Sequence, residues 1–250
     1  LITIFILLNL LFDSKIFCTD DDSIIKRYSV VMKIGGKRPS RFIFDLPKEW
    51  LPQMVSIHKK KGDTLYQRGD VSKGLYYIES GLVALTNISD NGQEIMLRVL
   101  GNKYWVGNRS FIAEEKYHAT AVILKDTHLL FLPLKNIQEL LEKYPTLLCH
   151  LAQKMSWELR ISEERFYDMA CREAQGRIIE AFIYLKTRHP DYLWTRREIA
   201  EFTGSTIETV TRIFSSLEKE GFLKKTGRDI QIMDEDSLLE HIGHDFFEDH

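Results

Sequence analysis

The chain has 250 residues, 34 Lys and Arg against 36 Asp and Glu, and a hydrophobic share of 44%. This composition excludes a disordered chain and a disulfide-stabilised scaffold, and the length suits two ordinary domains. The three cysteines, Cys18, Cys149 and Cys171, lie far apart and form no Cys-x-x-Cys pair. They therefore cannot assemble a zinc ribbon or a local iron–sulfur cluster, and they fit a reducing, cytoplasmic compartment.

Residues 1–12 are almost entirely apolar, which raises the question of a signal peptide or a membrane anchor. No basic residue precedes this run and no small-residue cleavage site follows it, whereas a signal peptide has both. A membrane-spanning helix needs about 20 apolar residues. Because the first methionine is Met32, we expect residues 1–31 to be a leader or upstream sequence that is not part of the native protein, and we expect no membrane contact.

Residues 45–143 are predicted to form a β-roll or jelly-roll domain. Short β-branched and aromatic runs alternate with glycine here, and strands bounded by turn formers at this spacing are typical of an all-β sandwich or barrel. Asp90, Asn91 and Gly92 predict a hairpin turn, because Asn and Gly tolerate the positive φ that such turns require. The predicted strands include 75–78, 82–85, 95–100 and 119–124.

Residues 144–170 are predicted to form one long helix with an apolar seam, and Pro145 can sit in its first turn. The seam residues follow one another at alternating spacings of four and three, which is the heptad pattern of a two-stranded coiled coil and predicts a homodimer. An amphipathic helix that lies on the core of its own domain shows similar spacing and is the alternative. The seam consists of Leu148, Ala152, Met155, Leu159, Ser162, Phe166 and Met169.

Residues 171–233 are predicted to form a helix, a helix-turn-helix and a wing. Thr195 and Glu198 have the spacing of a capping box at the start of a short helix, and Gly204 can adopt the left-handed conformation that ends it. A longer helix follows from about Thr206, which gives helix-turn-helix spacing. We expect a preceding helix at 175–186, a buried face of Ile207, Val210, Ile213, Phe214 and Leu217 on the longer helix, and a basic wing at 224–229 between the apolar runs 222–223 and 230–233.

Residues 234–250 are predicted to be an acidic tail, since they hold seven Asp and Glu and no Lys or Arg. Residues 171–233, in contrast, hold 11 Lys and Arg against 9 Asp and Glu. The tail therefore conceals a small excess of basic charge ahead of it, and the net charge of −2 does not exclude a nucleic-acid partner. The predicted fold class is α+β, with a β-roll, a long helix and a winged helix-turn-helix.

The helix that starts near Thr206 carries a polar face opposite its apolar one. On this face Glu208 can accept a hydrogen bond from cytosine, Arg212 can bind guanine through two hydrogen bonds, and Thr211 can contact thymine. Glu208 and Arg212 can alternatively form an ion pair on a solvated helix, but the capping box, the glycine turn and the wing in this order favour a DNA-reading domain. The predicted phosphate-binding residues are Thr195, Arg196, Arg197, Ser205, Thr206 and Thr209.

This order of elements resembles the Crp/Fnr family of bacterial transcription regulators, and the resemblance covers residues from about 50 to 233. It implies a homodimer that binds a palindromic operator in double-stranded DNA, no enzymatic activity, an effector site between the roll and the long helix, and RNA polymerase as a partner. The motifs that carry the resemblance are Lys61-Gly-Asp-Thr-Leu-Tyr-Gln-Arg-Gly-Asp70, Leu75-Tyr-Tyr-Ile-Glu-Ser-Gly81, Thr195-Arg-Arg-Glu-Ile-Ala200 and Glu208-Thr-Val-Thr-Arg212.

The recognition helix distinguishes branches within this family. Ile207 stands where the cyclic-AMP-responsive branch has an Arg before the Glu. The spacing of Glu208, Thr211 and Arg212 is similar to the Fnr-like pattern Glu-x-x-Ser-Arg, which prefers TTGA half-sites. The resemblance therefore predicts an operator with TTGA-like half-sites.

The resemblance also implies an effector pocket, in which cyclic AMP is not expected. Asn108 and His118 stand where cyclic-AMP-binding members have a ribose-binding Glu and a phosphate-binding Arg, and a buried phosphate without that Arg is poorly paired. The N-terminal cysteine group of the iron–sulfur members is absent. Haem on His118 or His128 and an organic anion on Arg109 are open alternatives, so the effector stays unassigned. The implied pocket residues are Gly107, Asn108, Arg109, Ser110, His118, Ala119 and Thr120.

Two functions of other classes stay open. A cupin metalloenzyme usually binds its metal through a His-x-His pair and a nearby Glu, and His58, His118 and His128 show no such pairing. The other is a roll that regulates a partner protein without contacting DNA. We find no Ser/His/Asp arrangement and no phosphate-loop motif in the sequence.

Overall fold

The structure, a computed structural model, describes residues 48–143 and 146–242. The predicted leader at 1–31 and Pro145 lie outside the described residues. No helix within these two ranges has both the length and the apolar character of a membrane span. The described chain begins with a short 3-10 helix, Lys48–Gln53, which leads into the first strand.

The predicted β-roll is an antiparallel sheet, for which six strands are described. The strands follow the order β1-β6-β3-β4, while β2 also pairs with β6 and β5 with β3. Strand β4 therefore lies at one end of this order. A one-turn helix, α1 (Asn108–Ile112), separates β5 from β6. The strands are β1 (Val55–Lys59), β2 (Thr64–Tyr66), β3 (Gly74–Ile88), β4 (Glu94–Leu100), β5 (Trp105–Val106) and β6 (Thr120–Pro133).

The runs 75–78 and 82–85, predicted as separate strands, form the single strand β3. Gly81 has a φ of +121° and lies where the pairing of β3 with β6 shifts register. A Cβ at Gly81 would lie 2.2 Å from the hydroxyl oxygen of Thr127 on β6, so a larger residue has no room. The glycine marks a bulge inside a strand and not a turn between strands.

The hairpin between β3 and β4 confirms the predicted turn at Asp90, Asn91 and Gly92. Gly92 has a φ of +81°, which glycine adopts without strain. The Ser89 N–H donates a hydrogen bond to the Gln93 oxygen at 2.9 Å and closes the loop. The turn therefore fixes the register in which β4 lies on β3.

Two apolar clusters fill the roll and fix the helices on it. One cluster lies inside the roll and includes the fully buried Val83 and Leu129. The other joins the 3-10 helix and the helices after the roll to the sheet, through Trp50, Ile137 and Leu151. The first turns of the long helix therefore pack on its own domain.

The helical half follows the predicted order. The long helix predicted at 144–170 is observed at Thr146–Cys171, and the helix predicted at 175–186 is observed at Ala174–Arg188. The elements are α2 (Leu134–Lys143), α3 (Thr146–Cys171), α4 (Ala174–Arg188), α5 (Arg196–Thr203), α6 (Ile207–Lys219), β7 (Leu223–Thr226), β8 (Asp229–Ile232) and α7 (Glu235–His241).

The segment predicted as an acidic tail at 234–250 begins with helix α7, so this prediction is wrong for its first residues. The Asp234 carboxylate accepts hydrogen bonds from the N–H groups of Asp236 and Ser237 and caps the helix. Leu238 and Leu239 are buried, and α7 packs on α4. Among the described acids of this segment, Asp234 caps the helix, and Asp236 and Glu240 are exposed. These acids hide the short apolar face of α7 in the composition.

Candidate nucleic-acid interface

Helix α5 begins at the predicted capping box, which the structure confirms. The Thr195 hydroxyl accepts a hydrogen bond from the Glu198 N–H at 3.2 Å, and the Glu198 carboxylate accepts one from the Thr195 N–H at 2.8 Å. Gly204 ends the helix with a φ of +64°, the left-handed conformation that glycine adopts most easily. These local interactions fix the angle at which the next helix starts.

Helix α6 begins after Thr206, whose hydroxyl accepts a hydrogen bond from the Thr209 N–H at 3.1 Å. Val210 and Phe214 are fully buried, and the ring centroid of Phe214 lies 4.9 Å from that of Phe182 on α4. Ile207, predicted on the buried face, is 40% exposed, so that part of the prediction is wrong. It is the first residue of the helix and precedes the turns that pack on α4.

The predicted base-reading side chains lie on the outer face of α6. Glu208 and Arg212 are exposed and one helical turn apart, and Thr211 is half-buried. In the described part of the chain, neither Glu208 nor Arg212 forms an ion pair or a side-chain hydrogen bond. The ion pair that was the alternative is therefore not formed, and an acceptor and a bidentate donor point to solvent.

The predicted phosphate-binding residues surround the starts of α5 and α6. Thr195, Arg197 and Thr206 are exposed. Arg196 is half-buried, and its guanidinium lies 3.4 Å from the Glu218 carboxylate, so it ties α5 to α6 in this structure. The Ser205 hydroxyl is buried and has no hydrogen-bond partner among the described residues, while the Thr206 and Thr209 hydroxyls lie 3.1 Å apart.

The wing is a two-stranded hairpin whose cations are exposed. Lys224 and Lys225 lie on strand β7 and not in the loop, and Arg228 follows the turn at Gly227. The wing is held to α4 by the Lys186 ammonium, which lies 2.7 Å from the Asp229 carboxylate. Sequence reasoning missed this ion pair, because its members are 43 residues apart.

The residues of the implied effector pocket lie around α1 and the start of β6. Asn108 and Ser110 are buried, and the Asn108 amide nitrogen has no hydrogen-bond partner within the described residues. The Arg109 guanidinium lies 3.5 Å from the Glu115 carboxylate. Burial, and then the charges of Arg109 and Arg98, lower the pKa of His118 to about 4, so its imidazole is neutral at pH 7. Of the remaining pocket residues, Gly107 caps α1, Ala119 is buried, and the Thr120 hydroxyl accepts a hydrogen bond from the Arg68 N–H at 3.1 Å.

Three tyrosines occupy the interior of the roll beside these residues. The ring centroids of Tyr66 and Tyr117 lie 3.6 Å apart, and Tyr76 lies 6.1 Å from Tyr66. Burial raises the pKa of Tyr76 to about 12, so its hydroxyl stays protonated. The tyrosine stack and the neutral imidazole of His118 therefore lie in the part of the roll where the resemblance implies an effector site. The sequence carried no signal for this stack, because alternating aromatics in strands predict core.

The predicted dimer seam is exposed along the C-terminal part of α3. Leu159 is 59% exposed, Phe166 75% and Met169 51%. Ala152 and Ser162 are also exposed, and Met155 is half-buried. The alternative, a helix that lies on its own domain, holds for other faces of α3, where Leu151 and Glu158 are buried and Glu158 pairs with Arg98 of β4 at 2.6 Å. The side chain of Leu148 lies outside the described set.

His128, an alternative haem ligand, is engaged through both ring nitrogens. Its Nδ1 lies 2.5 Å from the Glu79 carboxylate, its Nε2 lies 2.7 Å from the Ser56 hydroxyl, and its ring stacks on that of His58. Across the residues that the structure describes, no three His, Cys, Asp or Glu side chains form a group that could hold a metal ion. The contacts of His128 therefore leave no free nitrogen for an iron atom.

Models of two known domain families match the chain. Residues 56–144 match the cyclic nucleotide-binding domain, and residues 176–241 match the Crp-like helix-turn-helix domain. The second match includes helix α7, which agrees with its packing on α4.

Curated relatives and solved structures agree with these matches. The cAMP-activated global transcriptional regulator CRP of Salmonella typhimurium is 27% identical over 194 residues, which are 74% of this chain and 92% of the relative. The transcriptional activator protein FnrA of Stutzerimonas stutzeri is 28% identical over 184 residues, 70% of this chain and 75% of the relative. The structure of FixK2 from Bradyrhizobium japonicum superposes with a TM-score of 0.67 at 18% identity, over 76% of this chain and 96% of FixK2.

The fold and the exposed polar helix face define a class of protein, a DNA-binding transcription regulator with a cyclic nucleotide-binding-like roll. The chain belongs to the Crp/Fnr family. The family prediction and the α+β fold class are thereby confirmed. The relatives are transcription regulators and not enzymes, so the cupin alternative is set aside.

Proposed function

We propose that this regulator binds a palindromic operator as a homodimer and reads bases with Glu208, Thr211 and Arg212. The observation that carries the proposal is that Glu208 and Arg212, exposed on one face of a capped helix, have no side-chain partner within residues 48–143 and 146–242. A carboxylate in this position accepts from cytosine, and a guanidinium donates twice to guanine. Thr195, Arg196, Arg197, Ser205, Thr206 and Thr209 are proposed to bind the flanking phosphates.

The proposed dimer pairs the α3 helices of two copies along the exposed seam. Leu159, Phe166 and Met169 are large apolar side chains that lie more than half exposed on one face of α3, as is typical of an interaction surface. Pairing removes this area from water, with a gain of about 25 cal/mol per Å². The dimer spaces two recognition helices for one face of DNA, about one helical turn apart.

We propose a sensor at 45–143, a dimerisation helix at 144–170 and a DNA-binding domain from 171 that extends through α7. The operator is proposed to have TTGA-like half-sites, since Ile207 replaces the Arg of the cyclic-AMP-responsive pattern. The effector is proposed not to be cyclic AMP, because Asn108 and a neutral His118 stand where cyclic-AMP-binding members have the ribose-binding Glu and the phosphate-binding Arg. RNA polymerase is the proposed partner at promoters, in a cytoplasmic setting.

Selection of bound duplexes from a random pool, followed by affinity measurement, tests the proposal. We expect palindromes with TTGA-like half-sites, and a roughly 10- to 100-fold loss of operator affinity in the double variant Glu208→Ala, Arg212→Ala. The matched control, Lys219→Ala with Glu220→Ala, removes an acid and a base from the other end of α6. If operator binding survives in Glu208→Ala, Arg212→Ala, the result would favour a regulator that acts without reading DNA through these side chains. Selection of TGTGA half-sites would contradict the prediction of TTGA-like half-sites, which rests on Ile207.

A further inference from the structure

The guanidinium of Arg165 joins three parts of the described chain. Arg165 lies in the C-terminal half of α3, and its Nη1 donates a hydrogen bond to the backbone oxygen of Leu97 on β4 at 2.5 Å. Its Nη2 donates to the backbone oxygen of Phe202 on α5 at 2.6 Å and lies 3.4 Å from that of Met96. One side chain of the long helix therefore binds the roll and the DNA-binding domain at once.

The acceptors explain why an arginine suits this position. Strand β4 lies at the end of the described strand order, so it offers carbonyls on its outer side. The Phe202 oxygen lies in the last turn of α5, where helix carbonyls lack a partner within the helix. A guanidinium presents several donors in a fixed plane and can serve both. Its Cζ also lies 4.2 Å from the Phe202 ring centroid, which is a cation–π distance.

The Arg165 side chain is half-buried, so its guanidinium depends on protein hydrogen bonds in place of some of its water. Burial lowers the pKa of Arg165, but a guanidinium stays charged at any physiological pH. A buried charge is costly unless hydrogen bonds surround it. If α5 moved away from β4, the guanidinium and the carbonyls that it binds would all need new partners. Breaking the contact therefore costs free energy.

Further contacts seat the DNA-binding domain on the same surface of the roll. Helix α5 packs along β4. The Arg188 guanidinium on α4 donates to the Tyr104 hydroxyl at 2.6 Å, and the Lys61 ammonium donates to the Tyr192 hydroxyl at 3.3 Å. These pairs join side chains only, whereas Arg165 binds the backbone of both β4 and α5.

We propose that Arg165 is a positioning residue for DNA binding, which holds α5, and with it recognition helix α6, in one place against β4. This inference rests on the proposed function, because it presupposes a dimer and an operator with two half-sites. A domain released from β4 still binds one half-site, since its base-reading side chains are intact. It loses simultaneous binding of both half-sites, from which a bivalent protein gains much of its affinity.

The test compares Arg165→Ala with the wild type on two duplexes, the selected palindrome and the same DNA with one half-site scrambled. We expect a loss of about tenfold or more on the palindrome and a change below about twofold on the single half-site. Arg165→Lys replaces the planar guanidinium by one compact ammonium and should lose less affinity for the palindrome than Arg165→Ala. It replaces Arg165→Ala in the test if the Ala variant does not fold. Equal loss on both duplexes, or no loss on either, would overturn the positioning role.

The matched control is Arg160→Ala, which removes the same charge from the same helix. Arg160 pairs with Glu164 within α3 at 3.0 Å, so wild-type affinity is expected. Amide hydrogen exchange without DNA tests the contact separately: exchange at 94–100 and 196–204 should become faster in Arg165→Ala and not in Arg160→Ala. Unchanged exchange there would overturn the inference. Exchange could become faster in Arg165→Ala while the wild type binds the palindrome no better than the single half-site. That result would support the Arg165 contact and would contradict only the proposed function.

Discussion

At the scale of single residues, Glu201 on α5 is a side chain with an altered ionisation at the contact between α5 and β4. Burial raises its pKa from 4.5 to about 7, and the carboxylates of Glu94 on β4 and Glu198 on α5 add to the shift, while Arg197 opposes it. Glu201 therefore takes up or loses its proton close to neutral pH. The protonated form is compatible with the closeness of Glu94, and the ionised form is repelled.

Glu201→Gln should remove a pH dependence from the stability of the protein. The raised pKa means that Glu201 favours the folded state most below about pH 4.5, and that this contribution is lost as the pH rises through about 7. We expect the Gln variant to be more stable than the wild type by roughly 1 kcal/mol at about pH 8, a value reduced for solvent screening, and nearly equal at about pH 4.5.

Urea unfolding at the two pH values measures this difference. The control is Glu240→Gln on the exposed side of α7, which should leave the difference between the two pH values unchanged. Parallel pH profiles for Glu201→Gln and the wild type would show that burial and the neighbouring carboxylates do not raise the pKa of Glu201 in the folded protein.

At the scale of elements, the helix-turn-helix could be predicted because its determinants are adjacent in the chain. The capping box joins residues three apart, and Gly204 acts within its own turn. Strand β3 could not be predicted as one element, since the role of Gly81 depends on Thr127 of β6. Helix α7 could not be predicted from composition, because its acidic N-cap and its two buried leucines lie in a segment that is rich in acids throughout.

Gly204→Ala should destabilise the DNA-binding domain by about 1–2 kcal/mol, because an L-residue is strained at a φ of +64°. Gly176→Ala is the matched control: it lies in helix α4 with open space around its Cβ, so the same substitution should stabilise by about 0.5–1 kcal/mol. Denaturant unfolding monitored by circular dichroism measures both. The same sign for both variants would contradict the left-handed role of Gly204.

At the scale of the whole molecule, the joining of the two domains could not be predicted from the sequence. Arg165 is 68 residues from Leu97 and 37 from Phe202, and no local pattern relates positions so far apart. The heptad spacing of α3 predicted an apolar seam, and the exposed Phe166 agrees with it. The tyrosine stack in the roll needed the register of the strands before Tyr66 and Tyr117 could be placed together.

Phe166→Asp should convert the proposed dimer to a monomer, because two carboxylates would face each other across the seam. Tyr167→Asp is the matched control, since Tyr167 is 62% exposed and lies next to Phe166 but on another face of α3. Light scattering after size-exclusion chromatography gives the masses. If the dimer persists in Phe166→Asp and dissociates in Tyr167→Asp, the interface lies on the face of α3 that carries Tyr167 and not on the proposed seam.

The wing affects how the protein responds to ionic strength. Lys224, Lys225 and Arg228 are exposed on a hairpin that is held to α4 by the ion pair of Lys186 and Asp229. Each phosphate that such a cation neutralises releases condensed counterions, and log Kobs then falls by about 0.9 for each tenfold rise in salt concentration. This contribution is the same on every DNA sequence. On the proposed function, we therefore expect rising salt to shorten the time that the regulator spends on non-target DNA, while the proposed base contacts of Glu208 and Arg212 still distinguish the operator.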